Sequence, residues 1–209
     1  MKVKVCGITD IEQLMSLAKL PVDYAGLIFY NRSPRYMAEK ITSNLIQQKI
    51  FPFKKVGVFV NAEEEFIKAQ IKLYALDAVQ LHGDETPVFC EKLRKYATVI
   101  KAFKISNFNQ SGIDELVEPF KNTCDYYLLD TFSRISAGGT GEKFNWDALA
   151  NNKISKPFFL SGGISADDAE AIKTINHPFL HAIDINSGFE TEPGKKDINR
   201  IENFLQKIK

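Results

Sequence analysis

Cysteine is scarce in this chain of 209 residues: Cys6, Cys90 and Cys124 are the only three. An odd count without metal-like spacing argues against a disulfide framework and fits a reduced, cytoplasmic setting. Charge of one sign is also missing, since 27 Lys and Arg balance 26 Asp and Glu. No global field therefore recruits nucleic acid or an anionic membrane, although a local phosphate site needs only a few oriented donors. No apolar run approaches the roughly 20 residues that cross a bilayer. The N-terminus turns polar by Thr9-Asp10, which argues against a signal peptide. No linker or break in composition divides the chain, so residues 1–209 read as one domain.

What the chain does have is a regular alternation. Short runs rich in Val, Ile, Phe and Leu read as buried strands over Val3–Thr9, Tyr24–Tyr30, Lys55–Val60, Ala78–His82, Val99–Ile105, Tyr126–Thr131, Phe158–Ser161 and Ala182–Asn186. Helical spacing fills the gaps. Asp10 can cap a helix carrying Ile11, Leu14 and Leu17, and Asn61 can cap one that opens on Glu63, Glu64 and Glu65. Thr86-Pro87 places proline at a first helical position, and Ser165 stands three residues before Asp168 as in a capping box. From Asp197 the residues Ile198, Ile201, Phe204, Leu205 and Ile208 form an amphipathic helix. Strands apolar on both faces that alternate with helices imply a covered parallel sheet. Eight such units in this length predict an α/β, single-domain (β/α)8 TIM barrel rather than an open doubly wound sheet.

Active sites of such barrels sit at the C-terminal ends of the strands. Those ends read, in order, Cys6; Arg32, Ser33 and Arg35; Gln80 and His82; Asp130-Thr131; Ser161-Gly162-Gly163; and Asp184, Asn186, Ser187 and Gly188. A thiolate at Cys6 can act as a base and a carboxyl at Asp130, on another side of the mouth, as an acid. Arg35 follows a stiffening proline, and its planar fork suits a carboxylate; the plain alternative is a surface arginine. His82 either lines the pocket or is a satisfied structural histidine. His177 and His181 lack any partner pattern of a metal site. The glycine turns at Gly162-Gly163 and Ser187-Gly188 follow the last two strands, where barrels often bind phosphate. The stretch Gly138-Gly139-Thr140-Gly141 is either a lid or a flexible connector. Cys90 and Cys124 read as packing residues.

These segments together carry a resemblance. Lys4-Val5-Cys6-Gly7-Ile8-Thr9, Ser33-Pro34-Arg35-Tyr36, Val79-Gln80-Leu81-His82-Gly83, Leu128-Leu129-Asp130-Thr131, Leu160-Ser161-Gly162-Gly163 and Pro193-Gly194-Lys195-Lys196-Asp197 resemble the phosphoribosylanthranilate isomerase family, in the family's order and over nearly the whole chain. The resemblance implies an Amadori rearrangement in tryptophan biosynthesis, on a small phosphosugar substrate and without metal or other cofactor. It implies that Asp130 protonates the furanose ring oxygen and that Cys6 removes the C2′ proton. Arg35 would hold the anthranilate carboxylate. His82, Gly139, Gly141, Gly162, Gly163, Asp184, Ser187 and Gly188 would contact the substrate, several of them through its phosphate. A monomer and a homodimer both fit. Asn186 stands where the family more often has serine, and Asn145-Trp146 where it commonly has Asp-Trp. Three rivals remain: the histidine-pathway isomerase, whose first strand would end in aspartate, indole-glycerol-phosphate synthase, which would lead with lysines, and a phosphate-binding barrel without turnover.

Overall fold

Strands with two apolar faces are satisfied only when one face packs on helices and the other lines a closed interior. A computed structural model, which describes residues 1–37, 41–105, 110–131, 146, 149 and 154–209, shows this arrangement. Eight parallel strands close into a barrel in chain order: β1 (Lys2–Val5), β2 (Tyr24–Ile28), β3 (Lys54–Phe59), β4 (Ala78–Leu81), β5 (Thr98–Ile105), β6 (Tyr126–Thr131), β7 (Phe158–Ser161) and β8 (Leu180–Ile185). Lys2 to Val5 of β1 register with Ala182 to Ile185 of β8, which completes the ring. Among the described residues the helices are α1 (Ile11–Leu17), α2 (Ser43–Gln47), α3 (Glu64–Tyr74), α4 (Pro87–Leu93), α5 (Gln110–Val117), α6 (Ala169–Thr174) and α7 (Ile198–Ile208). A small antiparallel hairpin, β9 (Glu190–Glu192) and β10 (Lys195–Lys196), follows β8.

The alternation of two along each strand divides the apolar residues between two cores. Tyr24, Val56, Ala78, Ile100, Ala102, Leu128, Phe159 and Ala182 fill the barrel interior. Their neighbours, such as Val5, Leu129, Leu160 and Ile183, pack outward with Phe204 and Leu205 of α7. Four barrel strands carry a buried polar side chain, Lys4 in β1, Gln80 in β4, Lys101 in β5 and Asp184 in β8, and Lys4 has no exposure at all.

Local signals set most of the helix starts. Asp10 accepts from the Gln13 amide at 2.8 Å, Thr86 from Phe89 at 3.3 Å with Pro87 in the first turn, and Asp197 from Arg200 at 3.0 Å. Ser165 and Asp168 form the expected capping box, on a 3-10 turn over Ala166–Asp168 that leads into α6. Asn61 does not cap α3. It adopts a left-handed conformation and its side-chain oxygen accepts from the Asp84 amide at 2.7 Å, tying two strand-end loops together; Glu63 stands at the cap position instead. The short α2 and the β9–β10 hairpin have no strong periodicity, and the sequence alone does not mark them. No helix among the described residues is long and apolar enough to cross a membrane.

Candidate active site

The same alternation that sends Leu128 into the barrel sends Asp130 to its mouth. Across the sheet Asp130 registers with Ser161, Ser161 with Asp184, and Asp184 with Lys4. Cys6 comes two residues after Lys4, one place beyond the end of β1, and its amide donates to the Ile185 carbonyl at 2.9 Å. The thiol is buried, with 4% of the residue exposed. Gly26 of β2 makes that position possible: a Cβ there would lie 2.7 Å from Cys6 Sγ and 3.0 Å from its Cα. We expect Gly26→Ala to push the thiol aside at a cost of about 1–3 kcal/mol. Thermal melts together with kcat should show both a lower Tm and at least a tenfold slower enzyme.

Charged groups surround the thiol. Lys4 Nζ donates to Asp184 Oδ2 at 2.7 Å in a fully buried ion pair. Burial works against the ammonium, but Asp184 and the thiol outweigh it and hold Lys4 charged. Asp184 feels the opposite pull, since burial drives its carboxyl upward more than Lys4 lowers it. Its second oxygen, Oδ1, is buried without a hydrogen-bond partner among the described residues. Burial likewise pushes the Cys6 thiol up, against the cations Lys4 and Lys196 and with the anion Asp184.

On the other side of the mouth, His82 Nε2 lies 3.2 Å from Asp130 Oδ2, and Gln80 Nε2 lies 2.8 Å from His82 Nδ1. With the amide nitrogen at Nδ1, the ring carries its proton on Nε2 and donates to Asp130. Both side chains remain about a fifth to a quarter exposed, so they reach the mouth as well as each other. His82 thus has a partner on each ring nitrogen and stays partly exposed at the mouth.

Arg35 is not a free surface arginine. Its Nε and Nη2 grip Glu190 at 2.9 and 2.6 Å, and Glu190 also accepts from Lys196 Nζ at 2.7 Å and the Gly194 amide at 3.1 Å. Burial would raise the Glu190 carboxyl, but these donors keep it below the usual carboxylate range. Glu190 occupies the side of the guanidinium that carries Nε. The end-on pair, Nη1 and the second Nη2 hydrogen, has the geometry for a second carboxylate. Arg32, from the same strand end, instead lines a hollow of about 530 Å³ with Phe29, Tyr36, Asn61 and Phe66.

The two glycine turns are adjacent. Ser165, just after Gly163, bridges to Gly188, and a Cβ on Gly188 would strike the Ile164 carbonyl at 2.3 Å. Gly162 and Gly163 have φ of 99° and 65°, a left-handed path that glycine alone takes easily. A side chain on Gly163 would meet nothing within 4 Å, so this turn faces open space. Ser187 lies between Asn186 and Gly188 on the neighbouring loop. Gly139 and Gly141 lie outside the described residues. No group of His, Cys, Asp and Glu among the described residues is arranged to hold a metal ion.

Three functional neighbours escaped the sequence reading: Lys4, Glu190 and Lys196. Lys4 had a signal, because in a strand covered on both faces a lysine at an inward position has no route to water and needs a partner. Lys196 was marked only as part of the Pro193–Asp197 motif and Glu190 not at all, since their meeting depends on the hairpin.

Comparison with known proteins gives a consistent result. The model of the N-(5'-phosphoribosyl)anthranilate (PRA) isomerase family matches residues 3–207. An N-(5'-phosphoribosyl)anthranilate isomerase from Parabacteroides distasonis is 41% identical over 211 residues, covering 100% of this chain and 93% of that one. The crystal structure of the Thermotoga maritima phosphoribosyl anthranilate isomerase superposes with a TM-score of 0.86 at 32% identity, covering 100% of this chain and 98% of the other. A further phosphoribosyl anthranilate isomerase structure, in complex with reduced 1-(o-carboxyphenylamino)-1-deoxyribulose 5-phosphate, aligns with a TM-score of 0.81 at 31% identity, covering 100% and 98%.

Proposed function

The chain belongs to the N-(5'-phosphoribosyl)anthranilate isomerase family of tryptophan biosynthesis, and from that premise we propose how its own residues divide the chemistry. The reaction turns an aminoaldose into an aminoketose. Asp130 is the general acid that protonates the furanose ring oxygen, and the ring opens to a Schiff base. Cys6, as thiolate, is the general base that takes the C2′ proton, and the resulting enolamine tautomerises to the ketone. The order matters electrostatically: the protonated Schiff base acidifies C2′–H and brings a cation up to a thiol that burial holds neutral in the resting enzyme. The observation that carries this reading is the pairing of one buried thiol and one mouth-facing carboxyl in a single barrel.

The remaining groups position the substrate. The end-on fork of Arg35 takes the anthranilate carboxylate. Asp184 Oδ1, buried and unpartnered among the described residues, accepts from a sugar hydroxyl, and His82 lies within reach of the same chain of atoms. The backbone turns at Gly162-Gly163 and Ser187-Gly188 take the phosphate. The substrate is therefore a small phosphosugar, and the enzyme works in the cytoplasm.

The experiment that tests this reading is a fluorescence assay of the purified protein on freshly generated phosphoribosylanthranilate; absence of turnover would sink it. Arg35→Ala should raise KM about 30-fold, the equivalent of roughly 2 kcal/mol for a charge-assisted bidentate contact, with a smaller change in kcat. An unchanged KM would remove Arg35 from the carboxylate site.

A further inference from the structure

The β9–β10 hairpin is bolted to the loop that carries Cys6. Thr9 Oγ1 donates to the Gly194 carbonyl at 2.6 Å, Gln13 Nε2 donates to the same oxygen at 3.0 Å, and the Lys196 amide donates to Gln13 Oε1 at 2.9 Å. Within the hairpin Glu190 registers directly opposite Lys196. Lys196 Nζ has no exposure and donates to Glu190 Oε1 and Asn186 Oδ1, both at 2.7 Å. Arg35 completes the group through its two-point contact with Glu190. The assembly packs on the residue next to the thiol. A Cβ on Gly7 would lie 2.7 Å from Arg35 Cδ and 2.8 Å from Asn186 Oδ1, so nothing larger than glycine fits between them.

We propose that Lys196, Glu190 and Arg35 form a positioning unit for the Cys6 base, in which Lys196 supplies a cation facing the thiolate and Glu190 sets how much of that charge the thiolate feels. The proposal rests on Cys6 being the base of the isomerisation. The charge arithmetic is simple. On the barrel side Lys4 and Asp184 form a buried pair whose effects on the thiol oppose each other, Lys4 the stronger. The hairpin side carries two cations and one anion, a net +1, provided by Arg35, Lys196 and Glu190. Asp130 and His82 lie further round the mouth. The thiolate therefore forms between Lys4 on the barrel side and this net cation on the other, and the hairpin that is tied to Thr9 and Gln13 carries two of the three residues that set it. Burial pulls the Lys196 ammonium below its ordinary value, and Glu190 opposes that pull without reversing it.

Removing Lys196 takes the hairpin side to zero, removing the Glu190 charge takes it to +2 at pH values where the Lys196 ammonium, still held by Asn186, stays protonated, and removing both returns it to +1. The test uses Lys196→Met, Glu190→Gln and the double variant, with the pH dependence of Cys6 alkylation by iodoacetamide read from the Cys6 peptide by mass spectrometry. Lys196→Met should move the alkylation midpoint up by about one pH unit, Glu190→Gln should move it down by a similar amount, and the double variant should return it towards the parent. The ascending limb of kcat/KM should follow these shifts, with KM for Lys196→Met within about threefold of the parent. A merely structural hairpin would give shifts of one sign that add up in the double variant, and that result overturns the proposal, as do midpoints that do not move. Should Lys196→Met fail to fold, the downward shift in Glu190→Gln still decides it. Alkylation midpoints that move while the kcat/KM limb stays fixed overturn it at its premise, the Cys6 base, and not at the hairpin.

Discussion

Cys6→Ser should lower kcat about a thousandfold while leaving the fold and the KM near their parent values. General base catalysis contributes on the order of 10²–10⁴ to a rate, and a serine hydroxyl in this position has no accessible anion to supply it. The environment makes the contrast sharper. Burial already pushes the softer, more acidic thiol up, against Lys4 and Lys196. A hydroxyl in the same place, with a far higher intrinsic pKa, would never yield its proton. The sign of the pH dependence follows from the same direction. The base is the deprotonated form and its pKa is raised, so kcat/KM should climb through the neutral and alkaline range and fall about tenfold per unit below it. Steady-state assays of the parent and of Cys6→Ser across that range, with a thermal melt to show that the barrel accommodates the hydroxyl, provide the measurement. Near-parental turnover in Cys6→Ser would move the base elsewhere in the mouth.

The barrel was legible because its signals are local and repeated. Each strand is an apolar run of the right length, and Asp10, Thr86, Ser165 and Asp197 act as caps through atoms only three residues away. Strand order then places every strand end at one mouth, which is why Cys6 and Asp130 could be read as partners although they lie far apart in the chain. What could not be read is where charge meets charge across the chain. Lys4 finds Asp184 and Arg35 finds Glu190 only after the barrel closes, and no spacing encodes those distances. Asn61 shows the limit at short range. It precedes three glutamates like a cap, yet the loop after β4 competes for its side chain and wins. Arg35 shows the same limit over a longer range, because the carboxylate its fork holds in the structure is that of Glu190, which only the hairpin brings there.

Asp130→Asn should reduce kcat by about three orders of magnitude and leave binding of the reduced product analogue within a few-fold of the parent. Asparagine has the shape of aspartate and retains a contact to His82, so packing at the end of β6 is preserved. It lacks a transferable proton, and ring opening requires one delivered to an ether oxygen that is a poor leaving group without it. The surroundings offer a carboxyl in that proposed role a partner through which to reload. His82 touches it at 3.2 Å, is about a fifth exposed, and is oriented from behind by Gln80. This makes His82→Asn the informative companion: it should slow turnover by a smaller factor, about tenfold, and shift the pH profile, because the acid remains but its proton route is lost. An equilibrium titration with the reduced analogue separates the two possible roles of Asp130. Loss of binding in Asp130→Asn would mean that the carboxylate anchors substrate or holds the mouth together, and the acid would then have to be sought at Asp184, the other carboxyl of the same ring of strand ends.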